Sequence, residues 1–431
     1  MYVKEVHLSN IRSIESLTWA LPDGSERGWH VIIGDNGAGK SSFLRTIALV
    51  LVGPTEGNAL RQNWNEWLRW NEQDGFIKVL IEPTSNYDLS VERAELPPDS
   101  FLLDLAFTRR FDHVRPLYFS PVDSASVQSV WEDGSVWFSA SYGPFRRFTG
   151  GDTEQEKLFQ SNPKLARHLS VFGESVALSE CLEWLKLLQF KKLEEDPEGD
   201  LLESLKQFIN QPDFLPNEAR LESISSKGVR FIDGNGCEVP VENLSDGYRS
   251  ILSMTFELIR QLSRAYGSDK IFAPEDPTTI IVPGVVLIDE IDAHLHPVWQ
   301  RRVGKWFREH FPNIQFIVTT HSPLICQAAT VGSVFRLPRP GSNEEASMVT
   351  GVALDRLLYG NVLDAYSTGA FGDVDLRSDE GMEKLERLAI LNQKELAQGL
   401  SPEEQAEQQQ LRAQLPTASS ALPSDTEVPQ P

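Results

Sequence analysis

Cysteine is scarce in this chain. Cys181, Cys237 and Cys326 are scattered over 431 residues, without the spacing of a disulfide framework or a zinc site. That suits a reducing cytosol. Long apolar runs are missing too, so no segment reads as a membrane span. The opening residues, Met1-Tyr2-Val3-Lys4-Glu5-Val6-His7, put charges where a secretory leader is apolar. These absences predict a soluble cytoplasmic protein with no membrane partner. Positive charge is in deficit, with a net charge of −22. That argues against a generally basic nucleic-acid binder and leaves only local pairs such as Arg109-Arg110 and Arg146-Arg147. Sustained heptads and internal repeats are also absent, which excludes long coiled-coil arms.

At 40% hydrophobic content the chain can bury one large core or two smaller ones. Residues 2–9 alternate and predict a strand. Trp29–Ile33 is a short apolar run entering a glycine-rich loop, and Ser41–Val52 reads as a helix. Short apolar runs over 76–120 predict antiparallel strands, and Val136–Ala140 another strand. A polar, glycine-rich loop follows, through Asp152. From Asn162 to about Gln211 the pattern is helical, with Leu178, Leu182, Leu185 and Leu188 as packing residues. A hairpin is expected around Asp233-Gly234-Asn235-Gly236. Then come a helix at 248–265, a strand at 285–288, a helix at 297–310 and a strand at 315–319. This alternation predicts a mostly parallel α/β sheet. Ser401-Pro402-Glu403-Glu404 is a helix start, and 380–414 reads as two polar helices. Residues 416–431 are rich in Pro, Ser and Ala and read as a disordered tail.

Gly34-Asp35-Asn36-Gly37-Ala38-Gly39-Lys40-Ser41 matches the phosphate-loop pattern G-x-x-x-x-G-K-[ST], between a strand and a helix as that pattern requires. Gly37 and Gly39 let the backbone wrap phosphate oxygens, together with Asn36, Ala38 and Ser42. Lys40 is expected to bridge the β- and γ-phosphates, and the Ser41 hydroxyl to ligate Mg²⁺. Asp289 and Glu290 end a buried apolar run. In open α/β sheets, groups at strand ends of this kind face the ligand. Asp289 is the expected metal residue and Glu290 the expected general base. His321 also follows an apolar strand and is expected to contact the γ-phosphate. Ser245 and Gly247 open a helix and form a second anion site. The first loop already wraps the phosphates, so this second site would be redundant within a single chain. His294 and His296, two apart with no third ligand, do not make a zinc site.

Jointly, these motifs resemble the ABC-type ATPases, in the branch that includes SMC, RecF and OLD-like proteins. Leu244-Ser245-Asp246-Gly247-Tyr248 resembles the signature L-S-G-G-Q, and Val285–Glu290 resembles Walker B. Asp292–Pro297 resembles the D-loop segment, and Thr320-His321-Ser322-Pro323 the switch histidine. Asn10-Ile11-Arg12-Ser13 resembles an N-F-R-S element, which implies that Arg12 lies near the nucleotide. Gln128 is the Q-loop candidate by its order in the chain. Tyr142-Gly143-Pro144-Phe145-Arg146-Arg147 resembles a Y-G-P-x-R-R element of ATPases in defence operons. Its arginines read as γ-phosphate, DNA or interface residues, or as a solvated loop. The implied fold is an ABC-type P-loop NTPase head: α/β, with a mixed or parallel sheet, an antiparallel β subdomain and a helical lobe. The implied domains are a head at 1–350 (helical insertion about 155–220), a helical partner-docking element at 351–415 and the tail at 416–431.

The chain lacks a TOPRIM-type pattern after residue 350. It therefore resembles the ATPase subunit of the Septu antiphage system, and that of the PARIS system in outline. The resemblance implies ATP and Mg²⁺, and a homodimer or higher homo-oligomer closed head to head on ATP. It also implies a separate HNH or TOPRIM nuclease gated by hydrolysis, with DNA or RNA as a further candidate partner. A RecF-like repair ATPase acting on DNA directly is the first alternative. A scaffold with negligible turnover is another. A transporter subunit fits less well, given the N-x-R-S element, the Asp-Gly-Tyr signature and the large insertion before it.

Overall fold

The computed structural model describes residues 1–60, 62–83, 100–119, 127, 130–131, 137–148, 162–173, 178–212, 214–372 and 377–415. Gln128, Asp152 and the tail at 416–431 lie outside them. The chain divides into two compact units, Met1–Gly372 and Asp373–Pro431.

The first unit begins with strands β1 (Tyr2–Ile11), β2 (Ile14–Ala20) and β3 (Gly28–Ile33), then helix α1 (Lys40–Gly57). Strands β4 (Asp74–Glu82), β5 (Phe101–Arg110), β6 (His113–Tyr118) and β7 (Ser139–Tyr142) follow. Next come helices α2 (Pro163–Phe172), α3 (Glu180–Leu193) and α4 (Leu201–Ile209), then strands β8 (Arg220–Ser225), β9 (Gly228–Ile232) and β10 (Glu238–Pro240). The remainder is α5 (Asp246–Tyr266), β11 (Phe272–Ala273), β12 (Asp276–Ile280), β13 (Gly284–Ile288), α6 (Pro297–His310), β14 (Ile314–Thr319), α7 (Pro323–Cys326), β15 (Gly332–Arg336), β16 (Ser347–Met348), α8 (Gly351–Tyr359) and α9 (Val362–Tyr366).

One six-stranded sheet has the order β16-β15-β3-β14-β13-β7. All its pairings are parallel except β15 with β16. A five-stranded antiparallel sheet has the order β2-β1-β4-β5-β6. The fold is therefore mixed α/β, as the alternation of apolar runs predicts. Strand pleating explains the unbroken apolar runs. Trp29, Val31 and Ile33 of β3 enter one core with Val286, Ile288, Phe316 and Val318. Ile32, Val285, Leu287 and Ile317 point the other way, into a core shared with α1 and the antiparallel sheet. A parallel sheet covered on both faces needs apolar side chains on both.

α1 runs further than Ser41–Val52 because Pro54 is absorbed within it. Gly53 takes φ 82° and the helix kinks there. Proline has no N–H, so the carbonyl of Val50 loses its helical donor. The Trp131 indole N–H donates to that carbonyl at 2.9 Å. The expected strand at Val136–Ala140 is observed at Ser139–Tyr142, because parallel pairing with β13 begins at Ser139↔Val285. Residues 351–366, read from sequence as part of the C-terminal element, form α8 and α9 within the first unit.

The second unit is a pair of helices, α10 (Asp379–Gln398) and α11 (Pro402–Gln414), which meet through Leu388, Leu391, Leu411 and Leu415. Ser401 and Glu404 form a capping box at the start of α11. Among the described residues, no helix is long and apolar enough to cross a membrane.

The fully buried Gln315 of β14 ties the two large sheets together. Its side chain accepts from the Val3 amide and donates to the Val3 carbonyl, both at 2.8 Å. Gln315→Leu leaves both backbone groups buried without partners, at about 1–3 kcal/mol each. Denaturant unfolding of this variant should show a loss of about 2–5 kcal/mol. A loss under about 0.5 kcal/mol would mean that the clamp contributes nothing to stability.

Candidate functional site

The site is assembled at the carboxyl edge of the parallel sheet. Ile32 pairs with Thr319, Val318 with Ile288, and Ile288 with Tyr142. The residues that follow these strands therefore emerge side by side: Gly34, Thr320-His321, Asp289-Glu290 and Gly143.

The loop Gly34–Gly39 turns back on itself through glycines at φ 154°, 81° and 99° for Gly34, Gly37 and Gly39. At Gly37 and Gly39 only glycine adopts such angles without strain. Asn36 and Gly37 are exposed, Ala38 is buried, and Ser41 and Ser42 are half-buried in the first turn of α1. α1 starts at Gly39 without a side-chain cap, so its first amides are uncommitted. That is the donor set a phosphate group needs. A Cβ at Gly39 would meet Ile14 at 3.0 Å and the Ser13 hydroxyl at 3.2 Å, so the β1–β2 turn packs directly on the loop. Arg12 in that turn has φ 51°, and its guanidinium lies 4.5 Å over the Trp67 ring. Burial, and then Arg45 beside it, lower the Arg12 pKa to about 10. Its Nε makes no hydrogen bond.

Lys40 is buried and donates to the carbonyls of Gly34 (2.8 Å) and Asp35 (3.0 Å). Burial lowers its pKa, opposed by Glu290, Asp289, Asp292 and Asp35. Asp289 is 1% exposed, and its Oδ1 accepts from the Thr319 hydroxyl at 2.6 Å. The same hydroxyl accepts from the Glu290 amide at 2.7 Å. Glu290 is half-buried and left-handed, with φ 47°. His321 is exposed, and its pKa lies below the ordinary value because of partial enclosure and then the charge of Lys40. The Thr320 hydroxyl donates to Asp292 at 2.6 Å. Gln300 accepts from the Ser322 hydroxyl at 2.7 Å and donates to the Leu295 carbonyl at 2.9 Å. The histidine loop and the Asp292–Leu295 turn are thus hydrogen-bonded to each other and to α6. His296 caps α6 through Val298 N, a structural use.

Ser245 is the exposed N-cap residue of α5 and makes no capping bond. A Cβ at Gly247 would meet the His294 carbonyl at 2.9 Å, and no atom of the phosphate loop within 4 Å. Within one chain, then, Lys40, Asp289, Glu290 and His321 converge, while Ser245 and Gly247 face elsewhere.

Arg146 corrects the sequence expectation. It is 4% exposed, so it is neither a solvated loop residue nor placed to touch DNA or a partner. Its guanidinium donates to the carbonyls of Gly143 (3.0 Å), Asp289 (2.8 Å) and Glu290 (3.0 Å), and to the Ser250 hydroxyl (3.0 Å). Burial lowers its pKa to about 10, so it stays charged at neutral pH, supported by Asp289, Asp292 and Glu290. Sequence reasoning missed Thr319 and Thr320 as site residues. The available signal was two consecutive hydroxyls at a strand end beside the histidine. Arg147 is exposed.

A glycine loop between β3 and α1, facing acids at the end of β13 two strands away in the same parallel sheet, is the arrangement of a P-loop nucleotide-binding site. A family described as "AAA domain, putative AbiEii toxin, Type IV TA system" matches residues 158–327, and one described as "AAA domain" matches residues 5–96. The chain is similar to the Septu protein PtuA of Bacillus mycoides (strain KBAB4), at 26% identity over 77% of this chain and 40% of that one. It is also similar to the Retron Vc95 probable ATPase of Vibrio cholerae serotype O1 biovar El Tor, at 33% identity over 33% of this chain and 27% of that one. It thus spans well under half the length of these relatives. A crystal structure of an SMC head bound to the C-winged helix domain of ScpA aligns with a TM-score of 0.47 at 16% identity, covering 81% of this chain and 98% of that one. In sequence the chain thus resembles the Septu protein PtuA and the retron ATPases.

Because the Lys40 charge disfavours the imidazolium form of His321, Lys40→Ala should raise the His321 pKa. Titration of the imidazole signals by NMR measures this. An unchanged or lower value would show that the two side chains do not sense each other.

Proposed function

We propose that this chain is an ABC-type ATPase of antiphage defence that binds and hydrolyses ATP, closes head to head on it and thereby gates a separate effector nuclease. One observation carries the reading. Lys40, Asp289, Glu290 and His321 converge at the glycine loop, while the Ser245 end of α5 is exposed and uncapped. The first group completes a nucleotide site in one chain. The second is an exposed helix start whose serine makes no capping bond, open to an anion from a second copy.

On this reading the amides of Gly37, Ala38 and Gly39 hold the phosphates, with Asn36 and Ser42 flanking them and Lys40 across the β- and γ-groups. Ser41 and Asp289 would hold Mg²⁺, which when bound offsets charge on the phosphate oxygens. Glu290 takes the proton of the attacking water, and His321 contacts the γ-phosphate. Arg12, in the turn packed on the loop, flanks the nucleotide. Ser245 and Gly247 meet the phosphate held by a second copy. The first unit acts as the head, the helical pair α10–α11 docks the partner, and the protein works in the cytoplasm. The gated partner is a nuclease of HNH or TOPRIM type.

Two measurements test this. Lys40→Ala should cut steady-state phosphate release from ATP by at least about a hundredfold. Turnover equal to wild type would rule out hydrolysis at this loop. Glu290→Gln should accumulate as a dimer with ATP and Mg²⁺ in light scattering. If that variant stays monomeric, head-to-head closure is wrong.

A further inference from the structure

Arg146 has the most polar partners of any buried cation described above, and none of them is a carboxylate. Its guanidinium is shared among three backbone carbonyls and one hydroxyl, drawn from three separate parts of the chain. Gly143 belongs to the turn after β7, Asp289 and Glu290 end β13, and Ser250 lies in the second turn of α5. A fourth carbonyl, that of Ile291, lies at 3.5 Å. The turn that delivers Arg146 is built for close approach: a Cβ at Gly143 would stand 2.2 Å from the Ser170 carbonyl. Glu290 sits in the middle of this arrangement at φ 47°, a conformation that costs a non-glycine residue free energy and persists only where neighbours over-determine it.

We infer that Arg146 is a positioning residue. It holds the Asp289–Ile291 backbone in the left-handed turn that aims Glu290 into the site, and through Ser250 it ties that turn to the signature helix α5. The inference rests on the ATPase reading above and deepens it. The guanidinium fork fixes three carbonyls at once, which a lysine ammonium cannot reproduce in the same plane. Ser250 lies five residues after Ser245, on the same helix. Whatever engages the exposed end of α5 therefore acts on a helix bonded to the same guanidinium as the carbonyls of Asp289 and Glu290. The surroundings fit this role. The Glu290 amide is bonded to Thr319 Oγ1 and the Ile291 amide to the Thr319 carbonyl (3.1 Å). The far side of the turn is thus pinned to β14, and Arg146 pins the near side.

The test uses Arg146→Lys and Ser250→Ala in the full chain, read by amide hydrogen exchange and by ATPase kinetics. Exchange at Glu290, Ile291 and Ala293 should speed up by about tenfold or more in Arg146→Lys, while the amides of α1 around Phe43 stay as protected as in wild type. The kcat for ATP should fall by about tenfold or more, with the affinity for ATP unchanged, because the glycine loop and Lys40 are untouched. Ser250→Ala keeps every carbonyl contact and should lower kcat while leaving exchange at Glu290 near wild type. Arg146→Lys with wild-type exchange at 290–293 overturns the positioning role, whether or not the protein turns over ATP. If Arg146→Lys does not fold, Ser250→Ala decides: an unchanged kcat overturns the tie to α5. A wild type without ATPase activity sinks the parent reading, and the exchange result still decides this one.

Discussion

Parallel pairing of β3, β14, β13 and β7 is the constraint on which the site depends. It takes segments from opposite ends of the chain and brings Gly34, Thr320, Asp289 and Gly143 out at one edge. The pairing is fixed by the two cores, because each strand sends alternate residues into opposite faces. A slip of one residue in β13 would turn Val286 and Ile288 toward the α1 side and move Asp289 away from Thr319. The volume of the packed core, more than any polar contact, sets the position of the carboxylate. The polar contacts then refine what packing has placed. Thr319 bonds the Asp289 carboxylate and the Glu290 amide with a single hydroxyl.

Net charge is a poor guide to what such a site attracts. The chain carries −22, and a nucleotide phosphate is itself an anion. At physiological salt, charges beyond about 8–10 Å are largely screened. The local set is what counts: buried Lys40 and Arg146, uncommitted amides at the start of α1, and Asp289, Asp292 and Glu290 facing the two cations. Burial alone would favour the neutral lysine, and the acids oppose it. The acids would repel a phosphate, so on the proposed reading a divalent cation between Asp289 and the phosphate resolves the conflict. The same acids keep Arg146 charged, and its charge strengthens the bonds to the carbonyls of the turn.

Much of this was legible in the sequence because it is local. The phosphate loop is contiguous, and its strand and helix follow from apolar patterning and glycine placement. α6 from Pro297 to His310 was readable from the proline at its start, and the α10–α11 pair from the Ser401 cap and the polar helical pattern. What was not legible is non-local. β15 and β16 are too short to carry a periodicity, and the end of β7, Ser141-Tyr142, looks like loop until β13 lies beside it. Arg146 reads as a surface charge because nothing near it in sequence shows that five carbonyl and hydroxyl groups converge on it. Gln315 is the same case: an amide in the middle of an apolar strand makes sense only once Val3 is seen across the sheet boundary.

The two ends of α5 and α11 allow a like-for-like comparison that bears on the second copy. Ser401 and Ser245 are both serines at a helix start, with nearly the same backbone angles, φ −68° and ψ 161° against φ −62° and ψ 158°. Ser378 is a third, with φ −68° and ψ 159°. Ser401 and Ser378 turn their hydroxyls onto the helix amides, a contact that stabilises a helix by about 1 kcal/mol. Ser245 has the geometry to do the same and does not. Its neighbour Asp246 pairs with Arg249 instead of capping. A long buried helix such as α5 does not need the cap, because packing of its apolar face holds it. The hydroxyl and the first amides therefore stay open at negligible cost. On the proposed reading they are the part of the site that only a second copy, carrying its own phosphate, completes.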